Sequence, residues 1–73
     1  MAHIKISSEV SGSVWKIEAG VGSSVAQDAS IMIIESMKME IPLLSSHSGQ
    51  VVEILVSEGE AVEEGQVLAI IET

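Results

Sequence analysis

Glu35-Ser36-Met37-Lys38-Met39-Glu40 stands near the middle of the 73-residue chain, and the sequence on either side of it says nearly the same thing twice. Ser11-Gly12-Ser13-Val14 returns 37 residues later as Ser48-Gly49-Gln50-Val51, and the offset holds without a gap to residue 73. Ile17 falls on Ile54, Gly22 on Gly59, Val25 on Val62, and Ile33-Ile34-Glu35 on Ile70-Ile71-Glu72. Nine of the 26 overlapped positions are identical. A fixed-period repeat decides architecture, and two copies are too few for a solenoid. Two half-sheets packed face to face, related by an approximate twofold axis, fit the count. The counterpart of Ser36 is then Thr73 and that of Lys38 is Met1. The expected geometry sets the Lys38 turn at one end of the molecule and the paired chain ends at the other.

Composition points the same way. Ten Ile and nine Val stand against four Leu, with one Trp and no Phe or Tyr. β-branched residues suit a pleated surface, and no sustained i, i+3, i+4 pattern marks a helix. The reading is all-β: one domain over residues 1–73, two four-stranded antiparallel sheets in a flattened barrel or sandwich with pseudo-twofold symmetry. The size is near the lower limit for a fold held by a hydrophobic core alone. Without cysteine there is no disulfide, thiolate metal site or thiol nucleophile. No apolar run is long enough for a bilayer and no charged-then-apolar leader is present, so the expectation is a cytoplasmic protein without membrane association. Eleven acidic residues against three lysines give a net charge of −8, which argues against nucleic acid as a partner. That charge suits either a soluble monomer or steering toward a basic enzyme face.

Along the chain, His3-Ile4-Lys5-Ile6 alternates as a half-buried strand, and Ser11-Gly12 reads as a turn. Val14 to Ile17 begins a second strand. Val14 and Ile17 are three apart and cannot share a face by strict alternation, and Val51 and Ile54 repeat the conflict, so a bulge or a strong twist is expected in both halves. Gly20, Gly22 and Gly59 mark turns, a short strand surrounds Val25, and Gln27-Asp28 answers Glu64-Gly65. Ile31 to Glu35 and Met39 to Leu44 are strands, with residues 36–38 as a tight hairpin. Pro42 belongs on an edge or at a bulge, its nitrogen turned away from any ladder. Ser45 to Gly49 is a loop; Val51 to Val56, Val62 and Val67 to Glu72 complete the second half. Glu58, Glu60, Glu63 and Glu64 surround a solvated turn that discourages edge pairing.

Enzyme chemistry finds little footing. No phosphate loop, nucleophile elbow or metal-like ligand spacing occurs, and His3 and His47 stand far apart without further ligands. A sandwich this small leaves little room for a substrate cleft. Lys38 remains. Lys5 and Lys16 sit on strands as solvated surface lysines, whereas Lys38 lies where the two copies join, on a hairpin tip, between two methionines. A lysine amine is a long-stemmed nucleophile, and methionines adapt to several partner surfaces. On spacing alone, Met37 and Met39 are equally readable as ordinary strand residues and Lys38 as an ordinary turn lysine.

The hexapeptide closely resembles the Glu-Ala-Met-Lys-Met motif of biotinyl domains. Gly12-Ser13-Val14, Gly49-Gln50-Val51 with Ile54-Leu55-Val56, and Glu58-Gly59-Glu60-Ala61-Val62 through Gly65-Gln66-Val67-Leu68 are similar to that family's paired turns and strands. The resemblance to the biotinyl/lipoyl-attachment family thus covers nearly the whole chain. It implies a barrel-sandwich hybrid whose Lys38 amine receives biotin from a biotin protein ligase. Met37 and Met39 would flank the site in recognition, with Glu35, Ser36 and Glu40 as hairpin context. The biotinylated domain would shuttle carboxybiotin between a biotin carboxylase and a carboxyltransferase while catalysing neither reaction. By size it resembles a stand-alone carrier. Ser36 replaces the usual alanine, Asp28 stands where glycine is common, and the protruding thumb of some bacterial carriers is missing. Lipoyl domains share the fold and the hairpin lysine, so lipoate from a lipoyl ligase, in service of 2-oxo acid or glycine-cleavage-type enzymes, is the alternative. An unmodified interaction module is the reading from another class.

Overall fold

The computed structural model describes residues 2–73; Met1, the expected counterpart of Lys38, lies outside them. Eight strands follow one another: β1 (His3–Ser7), β2 (Gly12–Ile17), β3 (Ser24–Val25), β4 (Ser30–Ser36), β5 (Met39–Leu44), β6 (Gly49–Ile54), β7 (Ala61–Val62) and β8 (Val67–Glu72). They form two four-stranded antiparallel sheets, ordered β1-β8-β6-β3 and β5-β4-β2-β7. A shift of 37 residues carries the second sheet onto the first: β4 and β2 move forward onto β8 and β6, and β5 and β7 move back onto β1 and β3. Thus Ile41 opposite Ile34 matches Ile4 opposite Ile71, and Gly12 opposite Val62 matches Gly49 opposite Val25.

The symmetry reaches further than the repeat read from Ser11 onward. Its first element is β1, and the identities Ile4/Ile41 and Ser8/Ser45 belong to it. Ser8 and Ser45 are both buried, and each hydroxyl donates to the carbonyl two residues on, Val10 and His47. Each also exchanges backbone hydrogen bonds with the far half: Ser8 with Gln66 and Gly65, Ser45 with Ala29 and Asp28. The segment expected to be a polar loop therefore begins with a residue fully inside the protein.

The bulges fall where the spacing required them. Register shifts between Val14 and Lys16, and again between Val51 and Glu53. The extra residue lets Trp15 and Lys16 face solvent together, so that Val14 is buried and Ile17 packs against the core. Core residues from both sheets, Val14, Ile31, Met32, Ile34, Val51, Leu68 and Ile71, are almost inaccessible. Burying each such side chain contributes roughly 1.5–3 kcal/mol, which is what stabilises a chain of this size.

Two expectations need correction. Gly12 is the first residue of β2 rather than part of a turn, and β6 stops at Ile54 although Val56 is still buried. Gly12 is required for contact rather than for turning: a Cβ there would stand 2.2 Å from the Glu35 carbonyl oxygen. Gly49 meets the Glu72 carbonyl oxygen at 2.4 Å in the same way. At the turns, Gly22 and Gly59 have φ of 95° and 88°, and Asp28 at 69° occupies the left-handed position that Gly65 fills in the second copy. Pro42 lies on edge strand β5, as expected, and its counterpart Lys5 lies on edge strand β1. Proline and lysine at matched edge positions both oppose sheet extension.

Candidate functional site

The β4–β5 hairpin closes on the pair Ser36 and Met39, leaving Met37 and Lys38 as a two-residue loop. Their φ angles are 51° and 65°. Positive φ at both central positions is the type I′ arrangement, whose twist matches that of the flanking strands. The usual occupants are Asn-Gly or Asp-Gly, and a residue with a long side chain in this region costs on the order of 1–3 kcal/mol. Nothing in the letters Met-Lys announces that backbone. Strand pairing in one unbroken register over five positions imposes it, because β4 and β5 are held in line from Ser36 and Met39 down to Met32 and Leu43.

The turn carries its side chains outward. Met37 is 92% exposed and Met39 61% exposed, whereas Met32, on the strand that leads into the turn, is fully buried. Lys38 is exposed as well, and among the described residues it takes part in no ion pair. The expected site residues are therefore all brought together in one hairpin. Glu35 and Glu40 stand directly opposite one another one step below the Ser36–Met39 pair. Like charges in that relation are mildly destabilising, a local cost taken at the site and not at its counterpart, where His3 faces Glu72 with Nε2 and Oε2 3.1 Å apart.

The acidic cluster also acquires a location. Ala61 pairs with Ser13, and Ser13 with Glu35, so Glu60 flanks the row that contains Glu35 and Glu40. The Glu64 N–H donates to Ser11 Oγ at 3.2 Å, and Ser36 Oγ donates to the Ser11 carbonyl at 2.7 Å. Glu63 and Glu64 thus sit beside the base of the Lys38 turn. At the other end the corresponding residues are Ser23, Ala26 and Gln27. Glu58 is farther away and accepts a hydrogen bond from the Ile17 N–H at 2.9 Å. The cluster is solvated, as expected, but that reading did not place Glu63 and Glu64 beside the base of the Lys38 hairpin. The available signal was the 37-residue offset, which sets these acids against neutral residues.

His3 bonds Glu72, while His47 Nδ1 lies 2.9 Å from Ser46 Oγ, and the two rings share no ligand set. A groove of about 140 Å³ runs between Ser8, Glu9, Ile34, Pro42 and Leu44. It is smaller than the several hundred Å³ of most small-molecule sites, and Lys38 does not line it. What the geometry can do chemically is offer one primary amine, at the tip of a rigid hairpin, to a catalytic centre belonging to another protein.

Residues 2–71 match the sequence pattern of the family described as "Biotin-requiring enzyme". Over 63 residues the chain is 40% identical to the biotin/lipoyl attachment protein of Bacillus subtilis strain 168, covering 86% of each protein. Over 66 residues it is 38% identical to the urea amidolyase of Saccharomyces cerevisiae, covering 90% of this chain and 4% of that one. The crystal structure of the Kluyveromyces lactis urea carboxylase superposes with a TM-score of 0.93 at 36% identity, over 99% of this chain and 6% of that chain. The chain thus spans most of the length of the attachment protein and a small fraction of the other two.

Proposed function

The chain belongs to the biotin/lipoyl attachment family, and from that membership we propose that it is a biotin carrier whose attachment point is the Lys38 Nζ. The observation that supports Lys38 is its position in the two-residue loop, exposed between two exposed methionines, with no carboxylate paired to its amine among the described residues. Lys5 and Lys16 are exposed as well, but they lie within strands and not at a protruding tip.

In this reading a biotin protein ligase receives the hairpin. The Lys38 amine attacks the activated carboxyl carbon of the biotinyl adenylate; the amide bond forms as the acyl–phosphate bond breaks, AMP leaves with the electron pair, and the amine loses a proton. When bound, biotin supplies a ureido nitrogen that takes up and gives off a carboxyl group. The chain catalyses neither transfer. Its strands hold the tether point still, and its exposed methionines adapt in turn to the ligase, a biotin carboxylase and a carboxyltransferase. Glu60, Glu63 and Glu64 beside the hairpin favour an approach in which this end leads toward a basic enzyme face.

A second reading, lipoate on the same lysine, draws support from the name of the B. subtilis relative, a biotin/lipoyl attachment protein. One experiment separates the readings. The purified chain is incubated with ATP and either biotin plus a biotin protein ligase or lipoate plus a lipoyl ligase, and modification is located by peptide mapping. The carrier reading expects a single biotinyl group on Lys38, streptavidin capture, and loss of both in Lys38→Arg. Labelling that persists in Lys38→Arg defeats the assignment. A lipoyl group alone moves the chain to the second reading.

A further inference from the structure

Ser36 is the one member of the hexapeptide whose side chain, among the described residues, hydrogen-bonds outside the hairpin. Strand β2 supports β4 only as far as Glu35, opposite Ser13. Beyond that point the Ser36–Met39 segment is paired only with itself. The Ser36 hydroxyl crosses this gap, donating to the Ser11 carbonyl at 2.7 Å. Ser11 is itself anchored, since its Oγ accepts the Glu64 N–H at 3.2 Å. The two bonds form a brace from the tip of the hairpin through the β1–β2 loop to the β7–β8 turn.

The repeat supplies an internal control. The anchor is present in both copies: Ser48 Oγ accepts the Gln27 N–H at 3.1 Å, as Ser11 does from Glu64. That bond belongs to the fold. The tip bond belongs to one copy only. At the counterpart of Ser36, the Thr73 hydroxyl turns to the Ala2 carbonyl at 3.5 Å and leaves Ser48 alone. The additional bond is therefore found at the end that carries the lysine and not at the end that carries the chain termini.

We propose that Ser36 is a positioning residue: through Ser11 it fixes the direction in which the Met37-Lys38 turn presents the lysine amine. A turn whose two residues both hold positive φ persists only where the surrounding structure over-determines it, and the brace adds to the strand pairing that does so before an enzyme engages. Such preorganisation shows in binding more than in the chemical step. The proposal deepens the carrier reading and depends on it for its enzymatic readout.

The test compares wild type, Ser36→Ala and Ser36→Thr. Threonine keeps the hydroxyl and is already what the symmetric position holds. Ser36 lies at a strand end and not in the core, so both variants fold. For Ser36→Ala, biotin protein ligase kinetics are expected to show kcat/KM lower by about 2–10-fold, the range of one net hydrogen bond, with the change in KM. Ser36→Thr restores it. Backbone order parameters for residues 37–39 of the unmodified chain should fall in Ser36→Ala from about 0.85 toward about 0.6. Unchanged order parameters overturn the proposal, including when kcat/KM falls, because Ser36 would then act by touching the enzyme. Failure of threonine to rescue overturns it too. If wild-type Lys38 accepts no biotin, the carrier reading falls, and the order parameters still judge Ser36.

Discussion

Gly12→Ala should damage both the fold and the presentation of Lys38, and the repeat provides the control that separates the two effects. The added Cβ would lie 2.2 Å from the Glu35 carbonyl oxygen, 3.0 Å from its carbon and 3.2 Å from the Ile34 side chain. Two of these atoms are backbone, so no rotamer change relieves the clash. Ordinary contact begins at 3.4 Å, and strand β4 must retreat by more than 1 Å. Neighbouring strands are only about 4.8 Å apart, so the Ser13–Glu35 ladder bonds lengthen and weaken. Overpacking costs about 1–3 kcal/mol, and a disturbed ladder bond adds about 1 kcal/mol. A total near 3 kcal/mol corresponds to roughly 12–24 °C in Tm for a domain of this size. Far-UV circular dichroism during thermal and urea unfolding measures it. Gly49→Ala, with its Cβ 2.4 Å from the Glu72 carbonyl oxygen, should cost a similar amount. Gly20→Ala meets nothing within 4 Å and has no positive φ, so it should be neutral or stabilising by up to about 1 kcal/mol. Below the melting range of every variant, only Gly12→Ala should slow modification by biotin protein ligase, because only it displaces the residue that enters the lysine turn. A Gly12→Ala protein within about 1 kcal/mol of wild type would refute the steric argument. Equal slowing by Gly49→Ala would refute the link to the site.

Three further outcomes follow from other features. Met37→Asn places a residue tolerant of positive φ at the first turn position and should raise unfolding free energy by about 0.5–1 kcal/mol in urea titrations while weakening ligase recognition; a loss of stability would contradict the type I′ assignment. Ser8→Ala and Ser45→Ala each remove a buried hydroxyl whose partner carbonyl is then unsatisfied, costing about 1–3 kcal/mol apiece. They sit in opposite halves, so the double variant should be additive within about 0.5 kcal/mol by calorimetry. Replacing Glu60, Glu63 and Glu64 together by Gln should slow ligase association several-fold at low ionic strength and have little effect at high salt; a salt-independent loss would rule out steering.

The fold was legible because a repeat is a statement about symmetry that needs no coordinates. Val14 and Ile17, spaced three apart in a strand, called for a bulge or a strong twist, Val51 and Ile54 called for it again, and both halves hold the bulge. With one Trp and no Phe or Tyr, the excess of Ile and Val left pleated structure to bury them. Lys38 was legible by its place at the junction of the copies and by a motif. Gly12 and Ser8 were not, for the same reason: each serves a partner remote in sequence. A glycine needed for close approach reads like a glycine needed for a turn, and a serine buried between two segments reads like a serine in a loop.

From local pattern alone came the all-β class, the two halves, most of the turn positions and the place of Lys38 on a hairpin tip, since these depend on spacing of two, on β-branching and on an offset within one chain. Contacts between segments decided the rest. The positive φ of Met37 and Lys38 is set by the register of β4 against β5. The gathering of Glu60, Glu63 and Glu64 beside the hairpin is set by the pairing of β7 with β2. The brace from Ser36 through Ser11 to Glu64 joins residues 25 and 53 positions apart. Hydrogen bonds and charges act over a few ångströms of space, and which residues come within those few ångströms is a property of the packed sheets.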